Sequence, residues 1–203
     1  QAHPVIYDAT FRKENQLNNL PIIALLPGSR KQEITKMLSV MLSVVDDFKD
    51  YQFVIAGAPS QEYSFYQQFI TSDNIKFLSN KTYDLLQHAT AALVTSGTAT
   101  LETALFKVPE VVCYKGNWIS YQIAKRIITL KYISLVNLIM DKEVVTELIQ
   151  DDCNTKRIAS ELQKILEPEH RKIVLENYRI LEEKLGGKGA SSTTAKLIVA
   201  DLK

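Results

Sequence analysis

Residues 91–102 have the sequence Ala91-Ala92-Leu93-Val94-Thr95-Ser96-Gly97-Thr98-Ala99-Thr100-Leu101-Glu102. The apolar run over 91–94 predicts a short strand buried on both faces, which is typical of a parallel sheet covered by helices. A turn of small residues follows, and then a helix that Ser96 or Thr98 could cap. Gly97 lacks a Cβ, so its backbone can approach a ligand closely. The free N–H groups at the helix start could bind an anion, although most turns of this kind bind nothing.

A second strand, turn and helix of the same kind occur earlier in the chain. The apolar run over 22–26 predicts a buried strand, and Gly28-Ser29-Arg30 forms the turn after it. The next helix has apolar residues at three-and-four spacing, namely Ile34, Met37, Leu38, Met41, Leu42, Val45 and Phe48. Glu33 lies in its first turn, where a negative charge suits the helix dipole. Arg30 could grip a phosphate with two hydrogen bonds, or it could be a solvated surface charge.

Apolar runs and helical patterns alternate along the rest of the chain. We expect further strands over 51–56, 75–78, 91–94, 111–114 and 132–139. We expect helices after residue 140 over 143–149, 155–166, 169–185 and 192–202. This pattern predicts an α/β fold with a doubly wound, mostly parallel, Rossmann-like sheet and a helical C-terminal tail. Both glycine turns would then open at the carboxyl ends of the strands, where such sheets bind ligands.

The chain divides into three parts on this interpretation. Residues 1–20 are polar and irregular and form an inter-domain linker, 21–140 form the Rossmann-like domain, and 141–203 form a helical tail without a strand of its own that packs on the same domain. Asn137 stands within the last apolar run. A buried amide must find partners, so Asn137 either ties two loops together or reaches a ligand.

Composition argues against several classes of partner and cofactor. The 203 residues carry a formal net charge of +1, which does not favour nucleic acid as a partner. Cys113 and Cys153 show no CxxC or Cys/His spacing, so we expect neither a disulfide framework nor a zinc site. The chain has no GxGxxG and no GxxxxGK[ST], which disfavours a dinucleotide cofactor and excludes a P-loop. We therefore expect no cofactor and no metal.

The relation of the chain to membranes is left open by its sequence. No apolar run approaches the length of a membrane span, and we find no signal peptide. A helix over Trp118–Lys131 has an apolar stripe and a basic flank, so it could pack on the core or lie on a membrane surface. The chain begins with Gln1, and we expect it to be a piece of a longer protein.

Several segments resemble, in family order, the lipid-A-disaccharide synthases. They are Leu25-Leu26-Pro27-Gly28-Ser29-Arg30 with Glu33, Thr95 to Glu102, Val111-Val112-Cys113-Tyr114-Lys115, Ala124-Lys125-Arg126, Tyr132 to Ile139, Glu147-Leu148-Ile149-Gln150, and His3-Pro4 with Asp8-Ala9. No single motif is decisive, but the ordered set over about residues 1–160 is specific. The resemblance implies a two-domain GT-B glycosyltransferase, with this chain as its carboxyl-terminal half, which binds the UDP-sugar donor.

The resemblance also implies a reaction and a place in the cell. The family joins UDP-2,3-diacylglucosamine to the acceptor 2,3-diacylglucosamine 1-phosphate, which gives a β-1,6-linked disaccharide and UDP. It works without a metal, as a peripheral protein at the cytoplasmic face of the inner membrane of Gram-negative bacteria. The catalytic Asp base would lie in the other half, so we expect this chain alone to be inactive. A homo-oligomer is left open.

Particular residues acquire roles only through this resemblance. The implied donor-binding residues are Gly28, Ser29, Arg30, Ser96, Gly97, Thr98, Glu102 and Asn137. Arg30 would stabilise the charge on the UDP diphosphate, Glu102 would bind the ribose, and Asn137 would lie near the reacting sugar. Further motif positions without an assigned role are Glu33, Tyr114, Glu147 and Gln150.

Three other functions remain open. The nearest is another lipid-linked GT-B enzyme, the peptidoglycan glycosyltransferase, which normally has a glycine-rich turn where this chain has Gly28-Ser29-Arg30. A UDP-sugar epimerase would need an acidic cluster at the strand ends, where only Glu33 and Glu102 are found. The third is a non-catalytic nucleotide-binding module, because a fold does not determine a function.

Overall fold

The computed structural model describes residues 9–116 and 131–186 of the chain. Within these ranges six strands form one sheet in the spatial order β3-β2-β1-β4-β5-β6, and every neighbouring pair is parallel. The strands are β1 (Ile22–Leu26), β2 (Gln52–Gly57), β3 (Ile75–Ser79), β4 (Ala89–Thr95), β5 (Glu110–Tyr114) and β6 (Thr146–Ile149). The predicted α/β class with a doubly wound parallel sheet is confirmed.

Helices pack on both faces of this sheet. They are α1 (Ala9–Glu14), α2 (Lys31–Met41), α3 (Tyr63–Tyr66), α4 (Thr82–His88), α5 (Thr98–Leu105), α6 (Leu135–Met140), α7 (Thr155–Leu166) and α8 (Pro168–Lys184). Short 3-10 turns occur at Leu42–Asp47, Gln67–Phe69 and Gln150–Asp152. The helices predicted over 155–166 and 169–185 are confirmed as α7 and α8.

Strand β1 shows why the central strands are continuous apolar runs. All five of its residues are buried. Ile23 and Leu25 belong to the core cluster under α2 and α7, whereas Ile22 and Leu26 belong to the cluster on the opposite face, under α1 and α4. Successive side chains point to opposite faces of a strand, so a sheet covered on both sides needs apolar residues at every position.

The prediction for residues 132–149 is wrong in two places. Residues 132–139, predicted as the last strand, contain helix α6, and the sixth strand is instead Thr146–Ile149, inside the predicted helix over 143–149. The hydroxyl of Ser134 caps α6 by accepting a hydrogen bond from the Asn137 N–H at 3.3 Å. Short apolar runs do not distinguish a strand from a buried helix. The Ser134 cap makes residues 135–140 a helix, and pairing with β5 makes residues 146–149 a strand. The tail therefore does contribute a strand to the sheet.

The first twenty residues are also less irregular than predicted. Helix α1 occupies Ala9–Glu14, and Phe11 and Leu17 are buried in the core cluster on its face of the sheet. Arg12 is buried beside them, and its Nη1 donates hydrogen bonds to the carbonyls of Asn18 at 2.6 Å and Leu20 at 2.9 Å. The prediction failed because a single turn of helix is too short to show periodicity.

Several predictions fall on residues that the structure does not describe. The helix over Trp118–Lys131, apart from Lys131 itself, and the terminal helix over 192–202 lie outside the described residues. The division of the chain at residues 20 and 140 stays a prediction. Within residues 9–116 and 131–186, no helix combines the length and the apolar character that crossing a bilayer requires.

Candidate functional site

A cleft of about 300 Å³ opens at the carboxyl ends of β1 and β4. These two strands are neighbours in the sheet, but the chain continues from β1 toward one edge and from β4 toward the other. The loops that follow them therefore diverge and leave a crevice, as expected where the strand order of such a sheet reverses. The predicted turns Gly28-Ser29 and Ser96-Gly97-Thr98 both line this cleft. The last residue of β2, Gly57, and Pro59 in the turn after it also line the cleft.

The first turn holds a carboxylate against its own backbone. Gly28 has φ +97°, which L residues rarely adopt, and its missing Cβ leaves room for the side chain of Glu33. The Ser29 N–H donates to Glu33 Oε2 at 3.3 Å, and Ser60 Oγ donates to the Ser29 carbonyl at 2.9 Å. Glu33 thus accepts a hydrogen bond from a free N–H group ahead of α2. Ser60 links the turn at Gly28-Ser29 to the turn that follows β2.

Arg30 lies next to this turn, on the solvent side. It is exposed, stands at the N-cap of α2 and makes no side-chain cap, and it is not among the described residues that line the cleft. No ion pair joins it to another residue in the described ranges. The structure thus leaves Arg30 exposed beside the turn, and the predicted phosphate contact stays a prediction.

The second turn requires a glycine at position 97. Its φ of +156° and ψ of −165° lie in a region that glycine adopts almost alone, and a Cβ there would meet nothing within 4 Å. Gly97 itself is the N-cap of α5, so the prediction that Ser96 or Thr98 caps the helix is wrong. Ser96 Oγ donates instead to the carbonyl of Ile133 at 3.0 Å. Thr100 Oγ1 donates to the Gly97 carbonyl at 2.9 Å from inside the helix.

Thr95 is a residue of the cleft that sequence reasoning missed. It ends β4, only 4% of it is exposed, and its Oγ1 is buried without a hydrogen-bond partner in the described part of the chain. An orphaned hydroxyl of this kind needs an explanation, and a ligand or a water in the cleft would supply it. The only signal in the sequence is its place as the one polar residue that closes an apolar strand.

The charge on the cleft wall is negative. Among the described residues that line it, Glu33 and Glu102 are the charged ones, and none is a lysine, arginine or histidine. Glu102 lies one turn into α5, on the wall that starts at Gly97. Among the described lining residues, an anionic ligand would therefore depend on backbone N–H groups and on the positive ends of α2 and α5.

The structure places Asn137 away from the cleft lining. Its side chain is fully buried, and Nδ2 donates to the Val145 carbonyl at 2.8 Å and to Glu147 Oε1 at 2.9 Å. Oδ1 accepts from the N–H groups of Val144 at 2.7 Å and Val145 at 3.0 Å. Every donor and acceptor of the amide is used. Of the two roles left open, the structure shows the tie between loops, and the sugar contact stays a prediction.

Three other predicted residues lie on β5 and β6 or directly after them. Tyr114 pairs in register with Ile149, Glu147 precedes that pair, and Gln150 follows it. None of the three lines the cleft. Gln150 has a positive φ of 54°, and its Nε2 is buried without a partner among the described residues. No cluster of three or more metal-ligating side chains placed to hold an ion occurs in residues 9–116 and 131–186.

Comparison with known sequences identifies one family. A family model described as lipid-A-disaccharide synthetase matches residues 5–199. The lipid-A-disaccharide synthase of Syntrophus aciditrophicus is 37% identical over 204 residues, which cover 97% of this chain and 53% of that protein. That of Geobacter sulfurreducens is 32% identical over 185 residues, covering 88% of this chain and 48% of that protein. The chain therefore spans about half the length of the curated relatives it matches.

Comparison with solved structures shows the same fold in glycosyltransferases. The glycosyltransferase SnogD of Streptomyces nogalater has a TM-score of 0.54 at 18% identity, covering 90% of this chain and 45% of that one. S. aureus TarM, solved in complex with UDP, has a TM-score of 0.57 at 12% identity, covering 98% and 37%. The C-terminal CMP-Kdo binding domain of Acinetobacter baumannii WaaA has a TM-score of 0.50 at 13% identity, covering 84% and 93%.

Proposed function

The chain belongs to the lipid-A-disaccharide synthetase family, and we propose that it is the half of such an enzyme that binds the nucleotide-sugar donor. The observation that carries this proposal is the meeting of two glycine turns, Gly28-Ser29 and Ser96-Gly97, at one cleft where the strand order reverses. Both turns begin helices whose positive ends face that cleft, and such ends favour a diphosphate. Because the charged residues on the cleft wall are glutamates, the UDP diphosphate would be bound by backbone N–H groups and by Arg30.

The similar structures support a donor site in this half. The WaaA domain is described as binding CMP-Kdo and is matched over 93% of its length, so a chain of this extent forms a nucleotide-sugar domain in that protein. TarM was solved with UDP bound. By the same logic Glu102 would accept hydrogen bonds from the ribose hydroxyls, as the acidic residue of dinucleotide folds does.

The proposed reaction transfers a sugar with inversion. The 6-hydroxyl of 2,3-diacylglucosamine 1-phosphate attacks the anomeric carbon of UDP-2,3-diacylglucosamine, and the bond from that carbon to the diphosphate oxygen breaks. The hydroxyl proton passes to a base that we place outside this chain, and UDP leaves with the bonding electrons. Arg30 and the starts of α2 and α5 stabilise the charge that grows on the diphosphate, without a metal.

We place the enzyme at the cytoplasmic face of the inner membrane, as a peripheral protein, because both proposed substrates carry acyl chains. The helix over Trp118–Lys131 is the proposed contact with membrane lipid. Family membership favours this glycosyltransferase over a peptidoglycan glycosyltransferase, a UDP-sugar epimerase or a non-catalytic module. The isolated 203 residues should bind UDP weakly and transfer no sugar, and measurable transfer by them alone would contradict the proposal.

Calorimetric titration of UDP tests the donor site directly. We expect saturable binding to the full-length protein, binding at least about tenfold weaker for Arg30→Ala, and no binding of ADP. Lys36→Ala is the matched control, because Lys36 is an exposed cation on the same helix but lies beyond its first turn. Absence of UDP binding by the folded full-length protein, or equal binding of ADP, would refute a UDP site. Repeating the titration with this chain alone shows whether the site needs the other half.

A further inference from the structure

Glu147 is the centre of a hydrogen-bond network near the start of β6. It lies on β6, and its Oε1 accepts from the Ser134 N–H at 2.9 Å, Ser134 Oγ at 2.8 Å and Asn137 Nδ2 at 2.9 Å. Its Oε2 accepts from the Ile133 N–H at 2.9 Å. No ion pair to Glu147 is found within the described ranges. One carboxylate thus receives four hydrogen bonds, three from Ile133 and Ser134 ahead of α6 and one from Asn137 within it.

Asn137 connects Glu147 to the residues just before β6. The same amide that donates to Glu147 accepts from the N–H groups of Val144 and Val145, which immediately precede β6. The start of α6 and the start of β6 are therefore fastened to each other, and Glu147 connects them to the backbone of Ile133 and Ser134. A buried polar network in which each member is satisfied favours a single geometry.

The peptide groups of Ile133 link this network to the cleft. The N–H of Ile133 donates to Glu147, while its carbonyl accepts from Ser96 Oγ at 3.0 Å. Ser96 lines the cleft and precedes Gly97, whose backbone conformation is open to glycine but not to L residues. Glycine is flexible and does not fix this geometry by itself, so the contacts on either side of it determine the shape of the turn. On the helix side of the turn, Thr100 Oγ1 donates a hydrogen bond to the Gly97 carbonyl. On the strand side, Ser96 Oγ donates to the Ile133 carbonyl.

We propose that Glu147 is a positioning residue for the nucleotide-sugar cleft: it holds Ile133, and through the Ile133 carbonyl it holds Ser96 and the turn at Gly97. The inference rests on the proposed function, because it assigns a role to Glu147 in binding at that same site. A carboxylate suits this role since its two oxygens offer about four acceptor positions and no donor. A glutamine would turn an NH₂ group toward the N–H groups of Ile133 or Ser134 and would lose part of the network.

A double-mutant cycle in the full-length protein tests this proposal. The variants are Glu147→Gln, Ser96→Ala and the double variant, and the readout is the dissociation constant of UDP by calorimetry. We expect each single change to weaken UDP binding by about fivefold to tenfold, and the double variant to bind no more weakly than the weaker single one. That coupling follows if Glu147 acts through Ser96. A purely structural role for Glu147 would give effects that multiply.

Glu143→Gln is the matched control, because it makes the same chemical change four residues earlier at an exposed site. It should leave UDP binding unchanged. Binding by Glu147→Gln at the wild-type level, or multiplied effects in the double variant, would overturn the proposal. If Glu147→Gln does not fold, Ser134→Ala replaces it. This change removes the Oγ donor to the carboxylate together with the N-cap of α6, and it leaves the two backbone N–H donors and Asn137 Nδ2. It should weaken UDP binding in the same direction and by less.

Amide hydrogen exchange gives a readout that does not depend on UDP. Glu147→Gln should raise exchange at residues 96–98 and at Ile133 and Ser134, whereas Glu143→Gln should not. Unchanged exchange at 96–98 would overturn the positioning role even if UDP binds as proposed. Conversely, raised exchange in a full-length protein that binds no UDP would refute the proposed function and leave the positioning of the turn standing.

Discussion

The carboxylate of Glu33 lies directly over Gly28. A Cβ on Gly28 would stand 2.1 Å from Glu33 Oε2, and the same oxygen accepts the Ser29 N–H. Gly28 has no side chain, and the side chain of Glu33, five positions later on the same strand–turn–helix unit, occupies that space. The consequence is that a negative charge already occupies the space at this turn which an anionic ligand would use.

Replacing Glu33 by glutamine should strengthen UDP binding. The amide oxygen can still accept the Ser29 N–H, so the turn keeps its shape, while one of the two negative charges on the cleft wall is removed. We expect a gain of about threefold in affinity at low ionic strength, which salt reduces because the cleft is open to solvent. Calorimetry at two salt concentrations measures it, with Glu143→Gln as the control. Weaker binding would show that the carboxylate itself is required.

Gly97→Ala should weaken UDP binding, whereas Gly186→Ala should not. Both glycines have positive φ, +156° and +76°, and a Cβ on either would meet nothing within 4 Å. Both changes should therefore lower the free energy of unfolding by about 1–3 kcal/mol through backbone strain alone. Only Gly97 lies on the cleft, so only there does the methyl group or a relaxed turn affect the ligand. Denaturant unfolding and UDP titration are the two measurements, and equal UDP affinities would argue against the site.

Asn137→Ala should destabilise the protein by about 2–4 kcal/mol, because it leaves two buried backbone N–H groups and a carbonyl without their partner. Urea unfolding measures the loss. Asn177→Ala is the control, since the hydrogen bonds of Asn177 to Lys142 and Ile173 lie at an exposed position. If Asn137→Ala retained wild-type stability but lost transfer activity in the full-length enzyme, the sugar contact would be its main role.

At higher pH, the Glu110→Gln variant should have a larger free energy of unfolding than the wild type. Glu110 is 1% exposed, neither carboxylate oxygen has a hydrogen-bond partner among the described residues, and burial raises its pKa well above the ordinary value of 4.5. A raised folded-state pKa means that the native state holds the proton longer than the unfolded chain. Its contribution to stability is full below pH 4.5 and is lost as the pH rises through the folded-state pKa.

The comparison of wild type and Glu110→Gln isolates that contribution. Unfolding free energies measured from acidic to mildly alkaline pH should converge at low pH, and the wild type should fall below the variant as the pH rises. Among the described residues, Tyr178 and Cys113 are titratable groups that face Glu110. Burial raises the pKa of Tyr178 well above 10.0, and the hydrogen bond with Cys153 together with burial raises the pKa of Cys113 well above 9.0, so neither group changes charge in the neutral range. Parallel curves would mean that Glu110 is solvated or paired in solution.

Sequence patterns predicted five of the six strands, four of which are buried at nearly every position, whereas the fifth, β3, is partly exposed. Strands β1, β2, β4 and β5 are apolar at nearly every position and follow turn residues, so length and composition identify them. Strand β6 is mostly half-buried and contains Thr146 and Glu147, and its pairing with β5 is what makes it a strand. Helix α6 has a strand-like composition, and the Ser134 cap together with the contacts of Asn137 makes it a helix.

The sequence by itself determined the α/β class, the two glycine turns and the family, because local periodicity and turn chemistry depend on residues close together in the chain. Only the tertiary structure decided that β1 and β4 are neighbours, and hence that residues 28–29 and 95–98 share a cleft. It also decided that Asn137 and Glu147 hold a backbone rather than line that cleft. Strand order and side-chain partners depend on which distant surfaces bury each other, and that free energy does not appear in any single stretch of sequence.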